Sequence, residues 1–307
     1  MDRPAEVTAS RPNTGVCLDE EFVLSGHLGC QGCTAALAMR YVLKALGEKT
    51  IIVMPACCWS VIAGPFPYST VRVPLLHTAF ETAASAASGV RAALDVRGDR
   101  ETTVLAFAGD GATFDIGLGA VSAAAERNEN ILYVCYDNEA YMNTGIQRSS
   151  ATPLGAWTTT TPQKKRHKKK DILGILAAHE IPYAATASVA FPEDVMAKTR
   201  RARELRGFRF LHILTPCPPG WKIPSEQSIH LARLAVLSRS FPLVEVFDGR
   251  RYQLQEMGPP IPVREYLRAQ GRFSLVTPEE EAAIERDVEY RWQRLRRLAS
   301  SSQATCS

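Results

Sequence analysis

Two apolar segments of the sequence end in side chains that could bind a metal ion. Gly109-Asp110-Gly111 follows the run TVLAFA, and Asn138 follows ILYVCYD, 28 residues after Asp110. This spacing accommodates one helix between neighbouring parallel strands, whose carboxyl ends form the ligand edge of an open α/β sheet. Glycines before a helix suit a diphosphate, but an aspartate there would repel it unless a divalent cation lay between them. The pattern predicts a cation-bridged diphosphate site, and the alternative is a glycine-rich turn with an aspartate helix cap.

Four of the eight cysteines fall in loops next to apolar runs and could bind a second metal centre. Cys30 and Cys33 form a C-x-x-C pair before a helix, whereas Cys58 and Cys217 each follow an apolar run. Four thiolates suit Zn²⁺ or a [4Fe–4S] cluster, although a zinc ribbon would be expected to have a second C-x-x-C pair. The alternative is that these thiols are buried small hydrophobes. The other cysteines are Cys57, which competes with Cys58, Cys135 in the expected core, and Cys17 and Cys306 near the chain ends.

The elements that must position these residues alternate between strand-like and helix-like patterns. Short apolar runs rich in β-branched residues are typical of buried parallel strands, and runs with helical spacing lie between them. Predicted strands cover 50–55, 103–110, 131–138, 181–188 and 208–216. Predicted helices cover 34–47, 78–97, 117–128, 171–180 and 192–204. This order predicts an α/β fold in which a parallel sheet carries helices on both faces.

The two ends of the chain differ in character from this central part. Residues 1–20 are polar and contain proline, which indicates a loose arm before an α/β domain at 21–250. A C-terminal helical extension is predicted at 251–307. In it, Thr277-Pro278-Glu279-Glu280 combines an N-cap, a first-turn proline and a glutamate, so a helix is predicted from there to about Leu298. We expect this helix to pack on a partner or on the domain.

Charge and hydropathy exclude several classes of protein. The net charge is +4, and the basic run at 164–170 has no interleaved aromatic residues, which argues against nucleic acid. No apolar run reaches the roughly 18–20 residues that cross a bilayer, and the N-terminus does not resemble a secretory signal. We therefore expect a cytoplasmic protein whose cysteines are not paired as disulfides. The basic run is predicted to be a solvated loop, with docking to an acidic protein or a neighbouring subunit as the alternative.

Both constellations match a known family. Gly-Asp-Gly followed after a helix and a strand by asparagine resembles the motif of thiamine-diphosphate enzymes. Over roughly residues 25–250 the chain resembles the β subunit of pyruvate:ferredoxin oxidoreductase and related 2-oxoacid:ferredoxin oxidoreductases. The matching segments are GHLGCQGC, RVPLLHTAFETAASAASG, AGDGATFDIGLGA, YVCYDNEAYMNTGIQRSSATPLGAWTTTTP and LHILTPCPPGW. The resemblance implies a thiamine-diphosphate-binding fold and oxidative decarboxylation of a small 2-oxoacid, above all pyruvate to acetyl-CoA and CO₂, with electrons passed to ferredoxin.

The resemblance also implies roles for individual residues. Asp110, the Asn138 side chain and the Ala140 carbonyl would hold Mg²⁺ on the diphosphate. Asn143 would face the reacting carbon and steady an oxyanion or the substrate carboxylate, and its alternative role is to cap a loop. The [4Fe–4S] ligands would be Cys30, Cys33, Cys58 and Cys217, with Cys57 as a spectator. The full set of implied cofactor-binding residues is Gly109, Asp110, Gly111, Ala112, Asn138, Ala140, Asn143 and Thr144.

Partners and substrate follow from the same resemblance. It implies α, γ and δ subunits, of which α completes the thiamine pocket, and coenzyme A as a co-substrate. His77 and Glu81 are expected on a helix near a subunit interface. The chain departs from the family pattern at Thr34-Ala35 and at Ala112, which leaves the 2-oxoacid open, oxalate included. Two other functions remain: a thiamine-dependent decarboxylase without redox chemistry, and a non-catalytic iron–sulfur or zinc scaffold.

Overall fold

The structure is a computed structural model that describes residues 20–304. The predicted loose arm therefore lies almost entirely outside the described residues, as do Cys17 and Cys306. Within the described part of the chain, no helix is both long and apolar enough to cross a membrane.

One mixed sheet of eight strands organises the described residues, in the order β2-β1-β3-β4-β6-β5-β7-β8. The first six strands in that order are parallel, whereas β7 and β8 are antiparallel to their neighbours. The strands are β1 (Thr50–Pro55), β2 (Leu75–Thr78), β3 (Thr103–Gly109), β4 (Leu132–Asp137), β5 (Tyr183–Ser188), β6 (Arg209–Leu214), β7 (Leu243–Phe247) and β8 (Arg251–Gln255).

Ten α-helices connect and cover the strands in the described residues. They are α1 (Thr34–Leu46), α2 (Cys58–Ile62), α3 (Ala83–Val96), α4 (Leu118–Glu126), α5 (Ile172–Ala177), α6 (Pro192–Glu204), α7 (Pro218–Trp221), α8 (Ser228–Leu237), α9 (Val263–Arg268) and α10 (Pro278–Ala304). A π-helical turn spans Gly111–Ile116, and single 3₁₀ turns span Ser225–Gln227 and Gly271–Phe273.

Alternate residues of the central strands enter two separate apolar layers. Ile52 and Met54 of β1 pack with α1 and α6, whereas Val53 packs with α3 and α4 on the other face. Every residue of β3, β4, β5 and β6 is buried. The predicted parallel sheet with helices on both faces is confirmed, because strands covered on both faces must be apolar along their whole length.

Strand register brings the predicted ligands to one edge of the sheet. Gly109 pairs with Tyr136, and Asp137 pairs with Leu214, so the residues that follow β3, β4 and β6 emerge side by side. Val53 of β1 pairs with Ala106 of β3, so the residues that follow β1 emerge at the same edge of the sheet as those that follow β3. Asp110, Asn138, Cys58 and Cys217 therefore leave neighbouring strands at their carboxyl ends, where open α/β sheets bind ligands.

The sheet edges differ from the prediction. The segment assigned to a helix from residue 78 begins with the end of β2, and α3 starts only at Ala83. A hairpin of β7 and β8 was not predicted, although its turn residues Asp248 and Gly249 both have positive φ, as a tight hairpin turn requires. These edge strands are short and half exposed, so they lack the apolar signature of central strands.

The C-terminal helix packs on the domain. Thr277 caps α10 as predicted, because its Oγ1 accepts from Glu280 N at 3.3 Å and Glu280 Oε2 accepts from Thr277 N at 2.9 Å. Val288 of this helix joins an apolar cluster with Trp221 and Phe273. The helix continues to Ala304, past the predicted end at Leu298. The division into an arm, a domain at 21–250 and an extension remains a prediction.

Candidate active site

Three polar groups, from Asp110, Asn138 and Ala140, meet between the ends of β3 and β4. The Asn138 carboxamide places one atom 2.9 Å from Asp110 Oδ1 and 2.8 Å from the Ala140 carbonyl oxygen. If this atom is the amide nitrogen, it donates a hydrogen bond to each of these two oxygens. If it is the amide oxygen, the three neighbouring oxygens are all acceptors, and a cation between them is needed. Adjacent ligands of an octahedral Mg²⁺, at about 2.1 Å from the ion, lie about 3.0 Å apart. The donor types and the two distances from the Asn138 amide therefore fit magnesium.

The Asp110 carboxylate is buried beside this point. Its Oδ2 accepts from Ser149 Oγ at 2.5 Å. Burial raises the pKa of Asp110 well above its usual range, and the nearby charge of Asp137 raises it further. A carboxylate in this position is costly without a counter-charge, which a divalent cation would supply.

The glycine after Asp110 lies directly against the Tyr141 ring. A Cβ on Gly111 would lie 2.2 Å from Tyr141 Cε1, so no side chain fits there. The π-helical turn at Gly111–Ile116 follows directly, and such turns are frequent at functional sites. Together these elements border a cavity of about 200 Å³. Its lining includes all eight predicted cofactor-binding residues: Gly109, Asp110, Gly111, Ala112, Asn138, Ala140, Asn143 and Thr144.

Asn143 and Thr144 lie on the exposed rim of this cavity. Thr144 Oγ1 donates to Gln147 Oε1 within the same loop. The Asn143 side chain is exposed and makes no hydrogen bond to any residue in the described part of the chain. The loop-capping alternative for Asn143 thus has no support there, and its amide is available to a ligand.

Four predicted cluster ligands lie around the ends of three helices. Cys33 precedes α1, Cys58 begins α2 and Cys217 precedes α7, while Cys30 sits on the turn before Cys33. Thr34 Oγ1 donates to the Pro216 carbonyl oxygen at 2.7 Å, which ties the first and last of these loops together.

The thiols affect one another electrostatically. Burial raises the pKa of Cys58, and the thiols of Cys217, Cys57 and Cys33 raise it further. Burial, Cys33 and Cys30 similarly raise the pKa of Cys217 to about 11. Among the described residues, no three His, Cys, Asp or Glu side chains are close enough to hold a single metal ion. The shared charge interactions place Cys33, Cys58 and Cys217 near one another.

The remaining cysteines have other partners. Cys57 caps α2 through a reciprocal pair of hydrogen bonds with Ser60. Burial raises the pKa of the Cys57 thiol, and a hydrogen bond with Tyr136 partly offsets this increase. Cys135 is fully buried in β4, which confirms its predicted place in the core. Cys57 and Cys58 both line the cofactor cavity, so the two predicted sites share one wall.

Comparisons with known proteins agree with this geometry. Residues 58–213 match the family model described as the thiamine pyrophosphate enzyme C-terminal TPP-binding domain. The chain is 50% identical over 293 residues to ketoisovalerate oxidoreductase subunit VorB of Pyrococcus abyssi, covering 91% of this chain and 94% of that one. It is 47% identical over 283 residues to pyruvate synthase subunit PorB of Methanothermobacter marburgensis, covering 91% and 98%. The chain belongs to the thiamine-diphosphate-binding subunits of the 2-oxoacid:ferredoxin oxidoreductases.

A solved structure shares the fold of this oxidoreductase subunit. It is 2-oxoglutarate:ferredoxin oxidoreductase from Magnetococcus marinus, with a TM-score of 0.58 and 23% identity over 70% of this chain and 80% of that one. The sequence resemblance to the β subunits of this family is confirmed by the relatives, and the α/β fold by this structure.

The oxidoreductase subunit also contains site residues that the sequence did not reveal. Lys169 Nζ donates to Glu139 Oε1 at 2.7 Å and also pairs with Asp137, and Arg272 Nη2 donates to Glu139 Oε2 at 2.6 Å. Burial alone would raise the pKa of Asp137, but Lys169 and His212 lower it to about 2. These charges flank Asn138, one of the predicted magnesium ligands.

The basic run is a loop, and Arg166, His167 and Lys168 are exposed as predicted, but its interpretation as solvated is wrong for the other four residues, Lys164, Lys165, Lys169 and Lys170. The Lys165 ammonium is buried and donates to the carbonyl oxygens of Ser149 at 3.3 Å and Ser150 at 3.2 Å. Burial lowers the pKa of Lys165 to about 8, with Arg148 and Lys169 contributing. Each lysine of the run contacts a carbonyl or carboxylate oxygen outside the run: Lys164, Lys165, Lys168, Lys169 and Lys170.

The pair His77 and Glu81 is not helical. His77 belongs to β2, and Glu81 lies in the turn before α3. Both side chains are exposed in this chain. The apparent helical spacing came from extending α3 backwards across the edge strand.

Proposed function

We propose that this chain binds thiamine diphosphate through Mg²⁺ and a [4Fe–4S] cluster through four cysteines, in a complex that oxidatively decarboxylates pyruvate. The observation that supports it best is the common cavity wall, where Cys58 stands beside Asp110 and Asn138. Electrons released at a bound cofactor need an acceptor close by. A thiamine-dependent decarboxylase without redox chemistry would not need thiols at this position.

Residues of this chain would hold the cofactor from one side. Asp110, Asn138 and the Ala140 carbonyl would bind Mg²⁺. The diphosphate would contact the backbone of Gly109, Gly111 and Ala112 and the Thr144 hydroxyl. Bound thiamine diphosphate supplies an electron sink for loss of CO₂. The chain's own contribution would be to fix the diphosphate, and Gly111 is needed there because any Cβ would collide with the Tyr141 ring that lines the same cavity.

The cluster would be held by Cys30, Cys33, Cys58 and Cys217. Cys58 is favoured over Cys57 because its charge interactions involve Cys217 and Cys33, whereas Cys57 is engaged with Ser60 and Tyr136. Cys30 is exposed and lies away from the cavity lining, so it faces the side from which electrons would leave.

Other subunits would complete the cofactor site that this chain forms from one side. Both relatives are named as subunits, and the chain is accordingly one subunit of a complex. We propose α, γ and δ subunits and ferredoxin as its partners, with α covering the exposed rim at Asn143 and Thr144. Coenzyme A is the proposed acyl acceptor, and the Magnetococcus marinus structure holds coenzyme A and succinyl-CoA.

Asn143→Ala is expected to lower kcat by about 10²–10³, the usual effect of removing one oxyanion donor. Its amide has no protein partner in the described residues, so its loss costs a contact to substrate rather than a loop cap. The measurement is turnover at saturating cofactor, together with the affinity for thiamine diphosphate, which should change by less than about threefold since Mg²⁺ contacts remain. An unchanged kcat would remove Asn143 from the reaction.

Turnover of the assembled complex tests the proposed substrate. Pyruvate, ketoisovalerate, 2-oxoglutarate and oxalate would be compared by kcat/KM for ferredoxin reduction. We expect pyruvate to give the highest value. A higher value for another 2-oxoacid would overturn the substrate but keep the reaction, whereas inactivity with all of them would overturn the proposed function.

A further inference from the structure

Two buried carboxylates flank the proposed magnesium ligand Asn138. The Asp137 side chain is 0% exposed and that of Glu139 is 6% exposed, and neither lines the cofactor cavity. Buried anions of this kind require partners, since removing one member of a buried ion pair leaves an uncompensated charge. The residues that neutralise Asp137 and Glu139 therefore indicate the role of these two carboxylates.

Two cations from distant parts of the chain neutralise these carboxylates. Lys169, from the basic run, contacts both Asp137 and Glu139. Arg272, only 2% exposed, reaches Glu139 from the 3₁₀ turn after α9 and also donates through Nε to Gln270 Oε1 at 2.9 Å. Two positive and two negative charges are thereby balanced around one residue, with His212 as an additional partner of Asp137 at 2.6 Å.

The backbone inside this charge network has an unusual conformation. Glu139 has φ of +69°, which non-glycine residues rarely adopt. Its amide donates to Asp137 Oδ1 at 2.9 Å, and its carbonyl accepts from Thr152 Oγ1 at 2.7 Å. On either side of this left-handed residue, the Asn138 amide contacts Asp110 Oδ1 and the Ala140 carbonyl oxygen.

The same network reaches the last cysteine loop. Trp221 Nε1 donates to the Asn138 carbonyl oxygen at 2.8 Å, and Arg272 stacks 3.7 Å from the centre of the Trp221 ring. Trp221 ends the short helix α7 that starts directly after Cys217. Arg272 thus holds Glu139 on one side of Asn138 and the Trp221 donor on the other.

We propose that Lys169 and Arg272 are positioning residues that align Asn138 and Ala140 for Mg²⁺, so that the C-terminal region is part of the cofactor site. This inference rests on the proposed function, because it presupposes the magnesium site. Neither cation touches the cavity, and both act through Glu139. The consequence is that their loss weakens magnesium-dependent cofactor binding without altering the cysteine ligands.

The test uses complexes stripped of Mg²⁺ and thiamine diphosphate and then titrated with MgCl₂ at fixed thiamine diphosphate. For Arg272→Met we expect the Mg²⁺ concentration at half-saturation to rise about 10–100-fold, as for other residues that orient metal ligands. Iron content should not change. The matched control is Arg268→Met, four residues earlier, whose ion pair with Glu281 lies on the surface.

A double variant tests whether Arg272 acts through Glu139. Glu139→Gln combined with Arg272→Met should raise half-saturating Mg²⁺ about as much as Arg272→Met alone, because the two substitutions remove the same contact. Half-saturation of Arg272→Met equal to that of Arg268→Met would overturn the inference. Wild-type binding of thiamine diphosphate without Mg²⁺ would instead overturn the proposed magnesium site.

Lys169→Met provides a second variant, with its exposed neighbour Lys168→Met as control. The same 10–100-fold rise in half-saturating Mg²⁺ is expected relative to Lys168→Met. If neither Arg272→Met nor Lys169→Met assembles into the complex, the network serves folding and the positioning role is refuted.

Discussion

Asp110→Asn is expected to abolish thiamine diphosphate binding at physiological Mg²⁺ while leaving the iron content intact. The substitution removes the only charged member of the oxygen triad formed with Asn138 and Ala140. Even residues that merely orient metal ligands cost about 10–100-fold in affinity, so a direct ligand should cost more than about 100-fold. The measurement is cofactor bound per complex after equilibrium dialysis, with iron determined on the same sample.

Asp248→Asn is the matched control for this substitution. Asp248 lies in the β7–β8 turn with φ of +51°, a conformation that asparagine tolerates well. We expect its complex to bind thiamine diphosphate as the wild type does. Wild-type affinity in Asp110→Asn would exclude Asp110 as a magnesium ligand.

Cys217→Ser is expected to stop ferredoxin reduction while a single turnover of pyruvate still releases CO₂. Loss of the cluster would lower the iron content by about four atoms per copy of this chain. The cofactor ligands stay in place, because Cys217 does not line the cofactor cavity. The measurements are iron content, ferredoxin reduction and single-turnover CO₂ release under anaerobic conditions.

Cys57→Ser provides the comparison for the cysteine variants. A serine can still cap α2 in place of the Cys57 thiol. We expect this variant to retain its iron, whereas Cys58→Ser should lose it. Normal ferredoxin reduction by Cys217→Ser would remove Cys217 from the cluster, and iron loss in Cys57→Ser would reverse the choice between the two adjacent cysteines.

The central strands and their ends were predictable because burial on both faces imposes continuous apolar runs. β1 and α6 have the predicted limits, and β3, β4 and β6 end within two residues of theirs. Parallel order then brings the strand ends to one edge, so Asp110 and Asn138 could be paired from spacing alone. The four cysteines were likewise singled out from their positions in loops, and the resemblance to a known family supplied Ala140, Asn143 and the choice of Cys58 over Cys57.

The support of the site could not be read from the sequence. Arg272 and Glu139 are 133 residues apart, and Lys169 and Glu139 are 30 apart, with no periodic pattern that links them. A run of lysines usually indicates a solvated segment, and only the fold shows that Lys165 and Lys169 turn inward. Likewise the π-helical turn after Asp110 has no distinctive residue pattern, since a wide turn depends on packing as much as on local preference.

The most direct test of two centres on one sheet edge is anomalous X-ray diffraction from anaerobic crystals of the complex containing thiamine diphosphate and Mg²⁺. Data collected above and below the iron edge should place a multi-iron peak among Cys30, Cys33, Cys58 and Cys217. The electron-density map from the same crystals should show the diphosphate and its metal beside Asp110, Asn138 and Ala140. A zinc signal at the cysteines, or a diphosphate bound elsewhere, would contradict the account.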